Sequence, residues 1–120
     1  MTAALKRRKW LCLFVLMAFT EVCWAHALLM ESSPRANSAV KGSDLTINLR
    51  FNVRIDGERS RLRLAGPDGV IQTLAPRVQP TADTLETHVS GLKAGAYKLE
   101  WQVLASDGHI SSGTVRFTVY

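Results

Sequence analysis

From Asp44 onward the apolar residues return at every second position: Leu45, Ile47, Leu49 and Phe51, with Thr46, Asn48 and Arg50 between them. A chain with that period sends one row of side chains into a core and the other into water, which an extended strand does and a helix does not. The same period recurs at Leu62 and Leu64 between Arg61 and Arg63, at Leu85 and Val89, at Tyr97, Leu99, Trp101 and Val103, and at Val115, Phe117 and Val119. No segment beyond residue 25 holds a helical period. Between the runs stand Gly66-Pro67-Asp68-Gly69, Pro76, Pro80, Gly91, Gly95 and Ser106-Asp107-Gly108. These residues favour turns, because glycine accepts positive φ, proline fixes φ, and aspartate bonds its own backbone. Adding a first strand near residues 27 to 31 and another near residues 70 to 74 gives about seven short strands, which predicts an all-β, Greek-key sandwich. The strand from Tyr97 to Val103 supplies the most apolar area and is expected at its centre. Trp101, sharing a face with Leu99 and Val103, is expected in the core rather than as a stacking platform for a ligand.

The first 25 residues read differently. Lys6, Arg7, Arg8 and Lys9 precede an apolar run over residues 10 to 19, and Cys23-Trp24-Ala25 follows after a short polar stretch. Those are the three regions of a secretory signal peptide, with cleavage expected after Ala25. The apolar run falls well short of the ~20 residues a spanning helix needs. Val22 and Glu21 do not suit lipidation at Cys23. Residues 1–25 are therefore expected to be a cleaved signal and residues 26–120 one exported domain, near the common size for a single core.

Cleavage changes the chemistry available. Both cysteines leave with the signal, so the mature chain has neither a disulfide nor a thiolate metal site, although it would enter a compartment where disulfides form. Eleven Lys and Arg remain against nine Asp and Glu, so the formal charge falls from +5 to +2 and nucleic acid is not implied. No stretch of the mature chain is apolar and long enough to span a membrane.

Three histidines exist, and they are not equivalent. His26 would become the chain terminus, where a free α-amine and the ring Nδ1 close a chelate ring on a metal. Asp107-Gly108-His109 sets a carboxylate and an imidazole two residues apart, which an extended segment directs to the same side. Together they offer three nitrogens and one oxygen, a set suited to one tetragonal Cu(II) ion. The absence of cysteine and a single mature methionine, Met30, argue against a Cu(I) site. Taken singly, an Asp-x-His is commonly a turn with a solvated histidine. The conjunction in a small, cysteine-free, exported chain is what carries the metal reading. His88 lies one residue off the face of Leu85, Thr87 and Val89 and is expected to point to water. Arg59, Arg61 and Arg63 form a basic stripe that reads first as the solvated face of a strand and second as a surface for an acidic partner.

The mature start His26-Ala27-Leu28-Leu29 with Ser32-Ser33-Pro34, and the stretch from Ala94-Gly95-Ala96-Tyr97 through Trp101-Gln102-Val103 to Ser106-Asp107-Gly108-His109 and Ser112-Gly113, resemble the CopC family of periplasmic copper-binding proteins. The resemblance runs over nearly all of residues 26–120. It implies a seven-stranded, immunoglobulin-like sandwich that holds Cu(II) at one end through His26, Asp107 and His109. It further implies a carrier or buffer in copper homeostasis or resistance, beside an inner-membrane copper-transport partner of the CopD type. Two departures stand out. Many members have an acidic residue soon after the second strand's Phe, where this chain reads Phe51-Asn52-Val53-Arg54, and the methionine-rich loop of members with a Cu(I) site is absent.

Two other readings compete. A terminal-histidine copper brace also serves oxygen-activating lytic polysaccharide monooxygenases, but Asp107 as a further ligand would fill a position that oxygen chemistry needs open. A metal-free adhesion or assembly module accounts for the strands while leaving His26 and Asp107-Gly108-His109 as coincidence.

Overall fold

In the computed structural model residues 26–75 and 78–120 are described; the expected signal segment and Pro76 lie outside the described residues. Eight strands follow in order: β1 (Leu29–Ser33), β2 (Ser38–Val40), β3 (Leu45–Phe51), β4 (Ile55–Ala65), β5 (Ile71–Thr73), β6 (Thr84–Val89), β7 (Gly95–Ala105) and β8 (Ile110–Val119). They form two sheets, one of three strands in the order β1-β3-β6 and one of five in the order β2-β8-β7-β4-β5. All pairings are antiparallel except β2 with β8.

The period-two pattern does the work expected of it. Ile47, Leu49 and Phe51 of β3 are fully buried, as are Leu62 and Leu64 of β4 and Leu85 of β6. They meet Leu99, Trp101 and Val103 of β7, the middle strand of the larger sheet, and Val115 and Phe117 of β8. Truncating any one of these leucines to alanine would cost about 2–5 kcal/mol, depending on how far the cavity collapses. Trp101 is 7% exposed and meets Phe51 edge to face at 5.1 Å, so it belongs to the core. Its indole leans over β8, where Gly113 leaves room: a Cβ there would lie 2.4 Å from Trp101 Cζ2.

Two strands depart from the sequence reading. β2 was not legible, because three residues paired in parallel with Phe117, Thr118 and Val119 are too few to display an alternation. β4 starts earlier than its leucines suggest, running back to Ile55 through an irregular stretch between Asp56 and Arg61. That stretch is held by polar side chains. Buried Ser60 donates from Oγ to Asp56 O at 2.6 Å and accepts the Leu104 N–H at 3.2 Å. Gln79 accepts the Gly57 N–H through Oε1 and donates Nε2 to Ile55 O, both at 3.0 Å. Its amide thus satisfies backbone groups of β4 on both sides of Asp56.

Candidate metal centre

One end of the sandwich gathers three segments: the chain from His26 to Leu28, the loop from Asn52 to Arg54 after β3, and the turn from Ser106 to His109 between β7 and β8. The turn closes through Gly108 N–H to Ala105 O at 2.9 Å and Ala105 N–H to His109 O at 2.8 Å. Gly108 sits at φ 90°, a conformation that costs a residue with a Cβ and that lets the chain reverse within this turn.

That reversal folds Asp107 back onto His109. Asp107 Oδ1 accepts the His109 backbone N–H at 3.0 Å, and Oδ2 lies 3.1 Å from His109 Nδ1. The carboxyl is consequently held below the usual aspartate range, first by the backbone hydrogen bond from His109 and then by the imidazole contact. Both side chains remain partly exposed, while His109 Nδ1 itself is buried against Asp107.

His26 is exposed, and its successor is pinned. Ala27 is buried, and its N–H donates to Ser111 Oγ at 3.1 Å. Ser111 lies two residues beyond His109 on β8. Leu28 is then clasped by Asn52, whose Oδ1 accepts the Leu28 N–H at 2.7 Å while its own N–H donates to Leu28 O at 3.0 Å. The loop is tied to the turn in the same way, since Ser106 N–H donates to Arg54 O at 3.0 Å. Val53 is half-buried against the core and takes a packing role.

Of the three residues expected at the site, Asp107 and His109 touch, and His26 stands at the same end of the fold. Among the described residues, no three His, Cys, Asp or Glu side chains are drawn into one ready cluster. The donor set itself fits copper: imidazoles and a carboxylate are ligands of suitable kind, and the Asp107 contact fixes the orientation of the His109 ring. His88 is exposed on the outer face of the three-stranded sheet, with Nδ1 3.2 Å from Thr46 Oγ1, which agrees with its expected direction.

Asn52 and Ser111 escaped the reading of the sequence. A neutral amide and a hydroxyl that bond backbone groups leave no periodicity and no charge pattern. The available signal was positional, in that Asn52 follows the last buried residue of β3 and Ser111 follows the Asp-x-His pair.

Comparison with known proteins places the fold in a family. The CopC domain family model matches residues 29–120. The chain is 31% identical over 103 residues to protein YobA of Escherichia coli K12, covering 83% of each chain. It is 30% identical over 103 residues to copper resistance protein C of Escherichia coli, covering 79% of this chain and 82% of that one. The fold superposes on the crystal structure of CopC from Methylosinus trichosporium OB3b with a TM-score of 0.72 and 29% identity, over 78% of this chain and 93% of that chain.

Proposed function

The chain belongs to the CopC family, and we propose that it is exported to the periplasm, cleaved after Ala25, and carries or buffers one Cu(II) ion through His26, Asp107 and His109. The observation that carries this reading is the hydrogen bond from Ala27 N–H to Ser111 Oγ, which fixes the residue after His26 against the strand that follows His109. Similarity to a copper resistance protein supports the cargo. A membrane copper-transport protein of the CopD type is the partner this role calls for.

In the 120-residue chain the nitrogen of His26 is an amide joined to Ala25. An amide is a poor donor until it loses a proton, whereas the α-amine released by cleavage binds copper near neutral pH. Export and site assembly are thereby linked: the precursor holds two of the side-chain donors in contact, and cleavage supplies the chelating terminus. Asp107 either binds the ion directly or holds the His109 ring while Nε2 binds, and both roles need its carboxylate.

Copper titration of the 26–120 chain against a competing chelator tests the proposal. One equivalent of Cu(II) should bind, and at free copper a hundred times the dissociation constant the unfolding free energy should rise by ~2.7 kcal/mol. That gain should shrink as pH falls, because the donors bind only when deprotonated. Absence of a one-to-one complex, or equal affinity for a form carrying one residue before His26, would overturn the reading.

A further inference from the structure

The outer faces of the two sheets carry unlike electrostatic arrangements. On the three-stranded sheet the outward groups are matched across strands: Arg50 Nη2 lies 2.9 Å from Glu31 Oε1, and Asn48 Nδ2 donates to Glu86 Oε2 at 2.9 Å. On the five-stranded sheet Arg61 stands opposite Gln102, Arg63 opposite Glu100, and Lys98 opposite Arg116. Glu100 is already held by Lys98 at 3.1 Å. Arg59 reaches Asp56 only at 3.8 Å, with its side chain 76% exposed. Among the described residues no ion pair holds Arg61 or Arg63. Five of the eleven basic residues of the 26–120 chain thus share one face, with Glu100 set among them.

Shallow depressions run along this row. Arg61 and Arg63 line one with Glu100, Gln102, Ser112 and Thr114, Arg59 and Arg61 line another with Leu104 and Ile110, and all three arginines line a third with Glu58 at its end. Ile110 is 61% exposed and is the residue after His109, so the row ends beside the turn that bears the metal donors.

We propose that this face docks an acidic segment of a partner protein, laid along β4 with carboxylates at alternate positions. Arg61 and Arg63, on the regular part of β4, stand roughly 6.7 Å apart, the repeat of alternate residues in any extended chain, so two carboxylates can meet them in register. A guanidinium offers a planar fork that matches a carboxylate. Glu100, within the face, opposes a uniformly anionic surface such as a phospholipid layer but is accommodated by a segment that places a hydroxyl or amine opposite it. Ion pairs between exposed groups contribute little each, so the contact is weak, salt-sensitive and short-lived. Such a contact suits a carrier that must release its partner. The docking surface stands on the charges alone; that docking serves copper transfer rests on the function proposed above.

The test titrates a synthetic peptide of alternating Glu and Thr into the isotopically labelled 26–120 protein, copper-free and copper-loaded, and follows amide shifts. Shifts should centre on Arg59, Arg61, Arg63 and Gln102 in both forms and on Ile110 in the copper-free form, where no paramagnetic Cu(II) broadens it, so that failure of docking and failure of copper binding are read separately. The R61E/R63E double variant should weaken binding about tenfold or more with copper affinity unchanged and a slightly lower unfolding midpoint, since Glu at 63 faces Glu100, and R61Q/R63Q should fall between in binding with the midpoint unchanged. Shifts located elsewhere, equal affinity of R61E/R63E, or tighter binding to anionic phospholipid vesicles than to the peptide would overturn the proposal.

Discussion

The sandwich is closed differently at its two ends. Away from His26, Asp107 and His109, the end built from Gly66-Pro67-Asp68-Gly69, Gly91 and the start of β7 is shut by backbone geometry and packing. Gly69, Gly91 and Gly95 all sit at positive φ, and Gly95 lies so close to Pro67 that a Cβ would meet the proline Cβ at 2.6 Å. Tyr97 stacks on Phe117 at 5.5 Å and donates its hydroxyl to Lys93 O at 2.8 Å. The donor end is tied instead by side chains reaching to backbone: Asn52 to Leu28, Ser111 to Ala27, and Asp107 to His109. Packing resists change as a unit, whereas a single hydrogen bond to backbone can be lost with the fold intact. One end is therefore built to hold the fold, and the other to aim groups at its surface.

Substitutions should separate the two ends. The largest effect is expected from His109→Ala, which should lower Cu(II) affinity on the order of a hundredfold or more by removing a donor that no neighbour replaces. The unfolding midpoint of the copper-free protein should hardly move. Gly95→Ala should do the reverse, costing about 1–3 kcal/mol through the clash with Pro67 while copper affinity stays unchanged. If chelator competition shows Gly95→Ala losing copper as severely as His109→Ala, the ends are not independent.

Next in size is Ser111→Ala, expected to weaken copper binding about tenfold, as loss of an orienting partner commonly does. Its cost in stability should be about 1 kcal/mol, and Ser111→Thr, which keeps a hydroxyl, should restore affinity. Asn52→Ala should behave similarly. Affinity that tracks stability alone across this series would reduce both residues to structural roles.

The smallest effect concerns acid. Because Asp107 has a folded-state pKa below its unfolded value, its contribution to stability is present above the unfolded value of about 3.9 and is lost as pH falls through the folded one. In copper-free protein Asp107→Asn should therefore be slightly less stable than the parent at pH 6 and equal to it near pH 2. Melting curves across that range would show it, and a difference that persists at pH 2 would mean that something other than ionisation is responsible.

How much of this was legible in the sequence follows from the same contrast. β3 and β7 could be read residue by residue, and the alternation around Leu85 and Val89 correctly sent His88 outward, because burial imposes a period. Histidine and aspartate at the donor end were visible as chemistry. Asn52, Ser111, Gln79 and Ser60 were not, since each answers an unpaired backbone group whose existence depends on where two distant strands meet. β2 and the irregular stretch of β4 were missed for a related reason: pairing partners, rather than local pattern, define them.

The bond between Ala27 and Ser111 spans 84 positions in the chain, and β8 is an inner strand of the five-stranded sheet, between β7 and β2. During synthesis the ribosome delivers His26 long before residues 110–119, so the donor end stays unassembled until β8 has been made. Long-range pairing of this kind closes slowly, as topologies dominated by distant contacts do. A nascent chain of this design cannot close that end early, and His26, Asp107 and His109 come to share it only after nearly every described residue has emerged.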